Sequence, residues 1–294
     1  MALIRYPGSK EKLANDIFQF FPDEMSLPLW MDSNRWEYRE PFFGAGAIGF
    51  RVLRLLPPSC NVWINDKDYG LVCLWQAVWN DLKGLCNKIQ QFKPSVEHYE
   101  KFKDEDGRRD LHPLEVGFRR LALHQMSYSG LGVMSGGPIG GKTQGNKLYP
   151  INCRWSPENL IGNATDLNRI LKKFPYLRIS CGDFSSLIDD TPKAFIYLDP
   201  PYYEKGEQLY RYSLDDADHE RLTGLLKTTK NKWILSYDDH SFIRRLYNWT
   251  SIVELKTIYT IARQNGDTRP KNKEILILSP GLASTEQPAR AIAA

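Results

Sequence analysis

Residues 36–56, WEYREPFFGAGAIGFRVLRLL, decide the fold. From Trp36 to Ala47 they read as a short strand that ends in a glycine-rich bend. The apolar run from Ile48 to Leu56 then reads as a helix stopped by Pro57 and Pro58. Asn61 to Asn65 alternate as a second strand ending at Asp66, and Tyr69 to Leu82 carry apolar residues at helical spacing. Two strand-and-helix units in series predict an α/β fold with a parallel sheet. Further along, strands are expected at Tyr176 to Phe184, Ala194 to Leu198 and Lys232 to Tyr237, with helices over Asn159 to Phe174 and Asp215 to Leu226. Ser251 to Ile261 and Lys273 to Leu278, joined by the polar loop from Ala262 to Asn272, read as an antiparallel hairpin that closes the sheet. Only the stretch from Lys93 to Asn152 breaks the alternation: it is charged and helical as far as Met126, then glycine-rich from Ser129 to Gly145.

With 294 residues, 42% of them hydrophobic and 25% charged, the chain has enough apolar material for one large domain or two modest ones. A net charge of +4 suits a polyanionic partner and many small-molecule enzymes alike. Five cysteines, odd in number and without a C-x-x-C pair, sit mostly in apolar runs, so free thiols are expected and neither disulfides nor zinc. The five histidines show no metal-ligand spacing, so no metal is expected. No run of about 18 apolar residues supports a membrane span, and an intracellular, soluble protein is expected.

The most informative chemistry is Asp199-Pro200-Pro201-Tyr202, directly after an apolar strand, where α/β sheets gather their ligands. Two prolines remove two backbone donors and stiffen the chain, leaving the carbonyls of Asp199 and Pro200 as acceptors. A carboxylate and a carbonyl side by side can hold both N–H groups of an amine. The exocyclic amine of adenine is a poor nucleophile because its lone pair is delocalised, and such hydrogen bonds favour a pyramidal nitrogen with the lone pair free. Tyr202 can then stack on a base taken out of the duplex. In the opening stretch, Gly44, Gly46 and Gly49 satisfy G-x-G-x-x-G, and Asp66 follows at the distance a nucleotide ribose demands. By itself that segment fits a dinucleotide dehydrogenase as well. Cys181-Gly182-Asp183-Phe184 offers a carboxylate and a ring for an adenine, and Arg5-Tyr6-Pro7-Gly8-Ser9-Lys10 a bend with a cation for a carboxylate.

In their order, RYPGSK, EPFFGAGAIGF, IND, a helical insertion, CGDF and LDPPYY resemble the DNA adenine methylase (Dam) family, the α-class N6-adenine methyltransferases, from Arg5 to Leu278. The resemblance implies a Rossmann-like sheet of seven strands with a reversed terminal hairpin and a target-recognition insertion. The organisation it implies is a catalytic domain from 1–92 and 153–280, a DNA-binding insertion at 93–152 and a disordered tail at 281–294. It also implies S-adenosylmethionine as cofactor. The cofactor residues carried over are Tyr6, Lys10, Phe43, Gly44, Ala45, Gly46, Asp66, Asp183 and Phe184, and the catalytic ones Asp199, Pro200, Pro201 and Tyr202.

The expected reaction is direct attack of adenine N6 on the sulfonium methyl, without a covalent enzyme intermediate. N4-cytosine methylation is the nearest alternative, and a catalytically inactive DNA-binding module is the alternative of a different class. Where GATC-reading relatives carry a hairpin rich in Arg, Tyr and Asn, residues 127–142 here read SYSGLGVMSGGPIGGK, which offers few side chains for base readout and suggests a short or relaxed recognition site. Phosphate contacts to double-stranded DNA are expected from Arg119, Arg120, Lys142 and Lys147, and from Arg263, Arg269, Lys271 and Lys273 around the terminal hairpin. The mixed-sign stretch from Lys101 to Asp110 is expected to face solvent. A monomer or weak dimer in the cytoplasm is expected, of a bacterium or of a phage's host, without a partner endonuclease in the chain.

Overall fold

The computed structural model describes residues 3–5, 10, 13–22, 37–145, 148–189, 194–204, 206–255 and 274–282. After a short helix α1 (Ala14–Phe18) come β1 (Glu37–Glu40), α2 (Gly49–Leu55), β2 (Asn61–Asp66) and α3 (Tyr69–Asn80). Three helices follow, α4 (Leu82–Gln91), α5 (Val96–Asp104) and α6 (Pro113–Met126), then α7 (Pro157–Lys172). The alternation resumes with β3 (Leu177–Cys181), β4 (Ala194–Leu198), α8 (Gly206–Leu209), α9 (Asp216–Thr228), β5 (Lys232–Asp238) and α10 (Ser241–Leu246), and β6 (Ser251–Leu255) and β7 (Glu274–Leu278) end it.

Seven strands form one sheet in the order β3-β2-β1-β4-β5-β7-β6. The first five strands run parallel, and β7 lies antiparallel between β5 and β6. This is the Rossmann-like sheet of seven strands with a reversed terminal hairpin that the resemblance implies. All five residues of β4, AFIYL, are buried, as a central strand covered on both faces requires. The strand's alternation sends Phe195 and Tyr197 into one core, with Tyr38, Val62 and Trp75, and Ala194, Ile196 and Leu198 into the other, with Trp233 and Leu235. From β1 the chain winds outward through β2 and β3, then returns to lay β4 on the other side of β1. The order therefore reverses between β1 and β4, and a ligand crevice opens at their carboxyl ends.

The helix expected from Tyr69 to Leu82 ends at Asn80. Asp81 leaves helical geometry, and its carboxylate accepts the Gly84 N–H, starting α4 instead. Residues of α5 and α6 share the core of the sheet's helices: Tyr99, Phe102, Phe118 and Leu121, with Ile151 from the turn before α7, pack in one cluster with Trp75 and Leu74. A ring cluster of Phe92 with Phe118 (5.2 Å between centroids) and Trp155 (5.0 Å) pins the two ends of the stretch together. At the crossing of α6 on α3, Gly117 lies so close that a Cβ there would stand 2.6 Å from backbone atoms of Cys73 and Leu74. The glycine-rich turn is built into this frame. Ser127 bridges to Pro138, the Lys103 ammonium donates to the Ser135 carbonyl (2.6 Å), and Gln144 ties residues 139, 141 and 151 together.

Gly117→Ala tests the close crossing. Replacing a helical glycine by alanine ordinarily gains up to about 1 kcal/mol, but overpacking against backbone costs about 1–3 kcal/mol. Urea unfolding is expected to show a net loss of stability; a gain would contradict the contact.

Candidate active site

The crevice at the carboxyl ends of β1, β2 and β4 is a cleft of about 860 Å³, partly open to solvent. Its first wall is the turn after β1. Gly44 and Gly46 have φ of +50° and +70°, a region that other residues enter only at a cost. The turn is held from outside: the Trp75 indole N–H donates to the Gly44 carbonyl (2.9 Å), and its ring meets Phe43 and Phe50 edge-on. Trp75, buried in the core, thus shapes the glycine turn. Phe43, Gly44, Ala45 and Gly46 all line the cleft.

At the end of β2, the Asp66 carboxylate accepts the Gly44 N–H (2.7 Å) on one oxygen and the Asp68 N–H (2.8 Å) on the other. Burial, together with the neighbouring Asp68, raises its pKa to about 6. Glu40, at the end of β1, is buried beneath the start of α2. Its carboxyl receives the Tyr38 hydroxyl (2.8 Å) and the Gly49 N–H, and burial holds its pKa well above the carboxylate range. A Cβ on Gly49 would stand 2.3 Å from a Glu40 oxygen. The anion position that a pyrophosphate needs at the first helix of a dinucleotide fold is therefore filled by the protein's own carboxyl group. That argues against the dehydrogenase alternative.

Beyond the end of β4, Asp199 faces Lys10. The Lys10 ammonium lies 3.1 Å from Asp199 Oδ1 and 3.1 Å from Glu274 Oε2, and donates to the Tyr202 hydroxyl at 2.7 Å. Tyr202 donates in turn to Glu274 Oε1. Lys10 is 1% exposed; burial alone would lower its pKa, but the Asp199 and Glu274 carboxylates outweigh that and hold it above the ordinary lysine range. Burial raises Asp199, Lys10 pulls it back and Glu274 pushes it up again, leaving a pKa of about 6. Lys10 lines the cleft, but its charge is committed to these two carboxylates. Pro201 and Tyr210 line the cleft as well, whereas the rings of Pro200 and Tyr202 are buried.

Other expected site residues fall differently. Asp183 turns away from the cleft into a two-pronged pair with Arg221 (2.7 and 2.8 Å), and that pairing holds its carboxyl below the usual range. Phe184 does line the cleft, its ring 5.3 Å from Phe42. Arg120 cannot meet phosphate: it is 2% exposed and clamped between Asp68 and Asp106, both at 2.9 Å. Arg119 is spent on Glu105 and Glu115. Of the mixed-sign stretch expected at a solvated face, Asp104 and Asp110 are exposed, but Glu105 and Asp106 are half-buried and partner these arginines. Lys142 stands exposed, 3.2 Å from Glu100. Tyr6, Lys147, Arg263, Arg269, Lys271 and Lys273, and the tail from residue 283, lie outside the described residues. The reading of the sequence passed over Glu40, Tyr210 and Glu274. Glu274 carries a usable signal, as the lone acid heading the apolar run EILIL.

The sequence pattern of the D12 class N6 adenine-specific DNA methyltransferases matches residues 6–261. The chain belongs to this family. It is a DNA methyltransferase specific for adenine N6. Similar proteins include the type II methyltransferase M.CviBI of Paramecium bursaria Chlorella virus NC1A, 25% identical over 276 residues that cover 90% of this chain and 93% of that one. Another is the type II methyltransferase M.MjaIII of Methanocaldococcus jannaschii, 23% identical over 74% of this chain and 76% of its own.

Methyltransferases in general draw the methyl group from S-adenosylmethionine, and the cleft suits that donor. Asp66, Asp68 and Asp199 stand on its lining beside Lys10, Lys67 and Arg211, so a cationic sulfonium finds carboxylates there, and Phe42 and Phe184 offer apolar ring faces. Among the described residues no helix is long and apolar enough to cross a membrane, and no cluster of His, Cys, Asp or Glu is arranged to hold a metal.

Removing Arg120 separates an internal strut from a phosphate contact. Arg120→Ala takes the cation from the buried Asp68 carboxylate and leaves Asp106 with Arg211 alone; breaking a buried pair costs about 3–5 kcal/mol. The expected outcome is a large loss of stability in chemical unfolding, with the salt dependence of DNA binding unchanged. A phosphate contact would instead flatten the salt slope and leave stability alone.

Proposed function

We propose that Asp199 and the Pro200 carbonyl hold the N6 amine of an adenine turned out of double-stranded DNA, in line with a methyl donor seated in the cleft against Phe43–Gly46, Asp66 and Phe184. The observation that carries this reading is the carboxylate at the end of β4, on the cleft wall and ion-paired with a buried lysine. S-adenosylmethionine supplies, when bound, a methyl group on a positively charged sulfur.

The protein's own contribution is position and charge. With Oδ1 turned to Lys10, Asp199 offers its other oxygen to one N–H of the amine, and the Pro200 carbonyl takes the second. Both acceptors pull the nitrogen towards a pyramidal shape with its lone pair aimed into the cleft. Transfer would leave the electron pair of the broken sulfur–methyl bond on a neutral thioether and the nitrogen cationic; that nitrogen would then shed a proton, for which Asp199, with a pKa of about 6, is a competent acceptor. Asp66 keeps lone pairs on both oxygens for ribose hydroxyls, in addition to the backbone N–H groups it already accepts.

The DNA side is assigned to the insertion. The exposed Tyr128, Leu148 and Tyr149 give it an apolar and aromatic surface, and Lys142, whose exposed pair with Glu100 is weak, gives it a cation for phosphate. The turn from 129 to 141 carries no side chain suited to bidentate base reading, which supports a short or relaxed recognition site. The reaction places the enzyme where DNA is, the bacterial or host cytoplasm.

Asp199→Ala tests the assignment. Lys10 keeps Glu274 in this variant, so the fold persists. The transfer rate should fall by about 10²–10⁴-fold while DNA binding, read by fluorescence anisotropy, remains. Methylation at the wild-type rate would refute the role of Asp199.

A further inference from the structure

Glu274 heads β7, a strand whose five residues, EILIL, are all buried. The carboxylate itself is 5% exposed. Taking a charge out of water at the start of an apolar strand costs several kcal/mol unless it is well paired, so its partners matter. They are two: Oε2 lies 3.1 Å from the Lys10 ammonium, and Oε1 receives the Tyr202 hydroxyl. Lys10 also donates to Tyr202 at 2.7 Å, closing a triangle of three side chains from the N-terminal segment, the end of β4 and the last strand. Each of the other two corners reaches Asp199: Lys10 through its charge, Tyr202 through three residues of chain that include two prolines. The family match ends at residue 261, before this strand begins.

We propose that Glu274 is a positioning residue for methyl transfer, holding Lys10 and Tyr202 so that the turn 199–202 is rigid and Asp199 shares its counter-ion with a second carboxylate. The inference rests on the reading of Asp199 as the amine-orienting group. Around Asp199 and the triangle stand Glu40 from β1, Tyr197 from β4, Tyr210 following α8 and Tyr237 from β5; Lys10 is the one cation paired with Asp199 and Glu274 among the described residues. Within that set Lys10 and Glu274 act on Asp199 with opposite signs. The lysine favours its ionised form, and Glu274 opposes it. A role confined to stability would not move the titration of Asp199, whereas a positioning role must.

The test measures single-turnover methylation across pH for the wild type, Glu274→Gln, Lys10→Met and Asp199→Asn, on proteins that show cooperative unfolding. In the wild type the rate should fall as pH drops through about 6, where Asp199 takes up its proton. Glu274→Gln removes the opposing charge, so its acid limb should move to lower pH, with the maximal rate down about tenfold, the worth of one charge-assisted hydrogen bond, and KM for DNA little changed. Lys10→Met should move the limb to higher pH. A Glu274→Gln enzyme with wild-type rate and limb overturns the inference. Should that variant not fold, Tyr202→Phe carries the test, because it removes only the hydroxyl that Glu274 holds: a severalfold drop in rate supports the inference and a wild-type rate overturns it. A different pattern, no acid limb in the wild type together with an active Asp199→Asn enzyme, defeats the reading of Asp199 itself.

Discussion

One ammonium group, that of Lys10, stands between two carboxylates that the fold has taken out of water. Without that cation the end of β4 cannot keep a charged Asp199, because burial alone favours the neutral acid. With it, a carboxylate can sit against the cleft at the topological switch point, ionised at neutral pH and close to the pKa needed to take up a proton. The same lysine ties together three regions far apart in sequence: the N-terminal segment, the middle of the sheet and its last strand. The acidic lining of the cleft is tolerable for a similar reason. Glu40 is held as a neutral acid by burial, and Asp66 is shared between two backbone N–H groups.

A second buried cation performs the corresponding service for the insertion. Arg120 of α6 joins Asp68, at the N-cap of α3, to Asp106, and Asp106 also pairs with Arg211, which lines the cleft. The part of the chain assigned to DNA is thereby linked through ion pairs to the lip of the cleft and to the residue two places beyond Asp66. Gly117, pressed on the backbone of α3, and the ring cluster of Phe92, Phe118 and Trp155 complete the attachment. A rigid mounting of this kind suits an enzyme that must bring a base out of the duplex to a fixed point, since the transfer tolerates little misplacement.

Much of this was legible in the order of residues. The strand, glycine bend and helix of 36–56 appear as read, because a central parallel strand and its turn are governed by local backbone chemistry and burial. Ala194–Leu198 was likewise legible as a wholly apolar run. What escaped reading is pairing at a distance. Glu115, four residues before Arg119 on one helix, was a legible partner for it, but nothing local to Arg120 tells whether it meets phosphate or Asp106, and the sign of a charge says nothing of its exposure. Asp183 followed the family pattern in sequence, but its carboxylate is captured by Arg221 from α9. The helix break at Asp81 was a capping signal outvoted by apolar periodicity. Lys10 was seen as a cation for a ligand's carboxylate, and its actual partners come from residues 199 and 274.

The account turns on the ionisation of one carboxyl group, and that can be observed without catalysis. Protein labelled with carbon-13 at the aspartate carboxyls, compared with Asp199→Asn to assign the signal, gives the titration of Asp199 by NMR. A midpoint near pH 6, with the carboxylate ionised at neutral pH, is the result expected of a buried acid balanced between Lys10 and Glu274. A group that stays protonated above neutral pH, or that titrates like an ordinary exposed aspartate near 4, would contradict it.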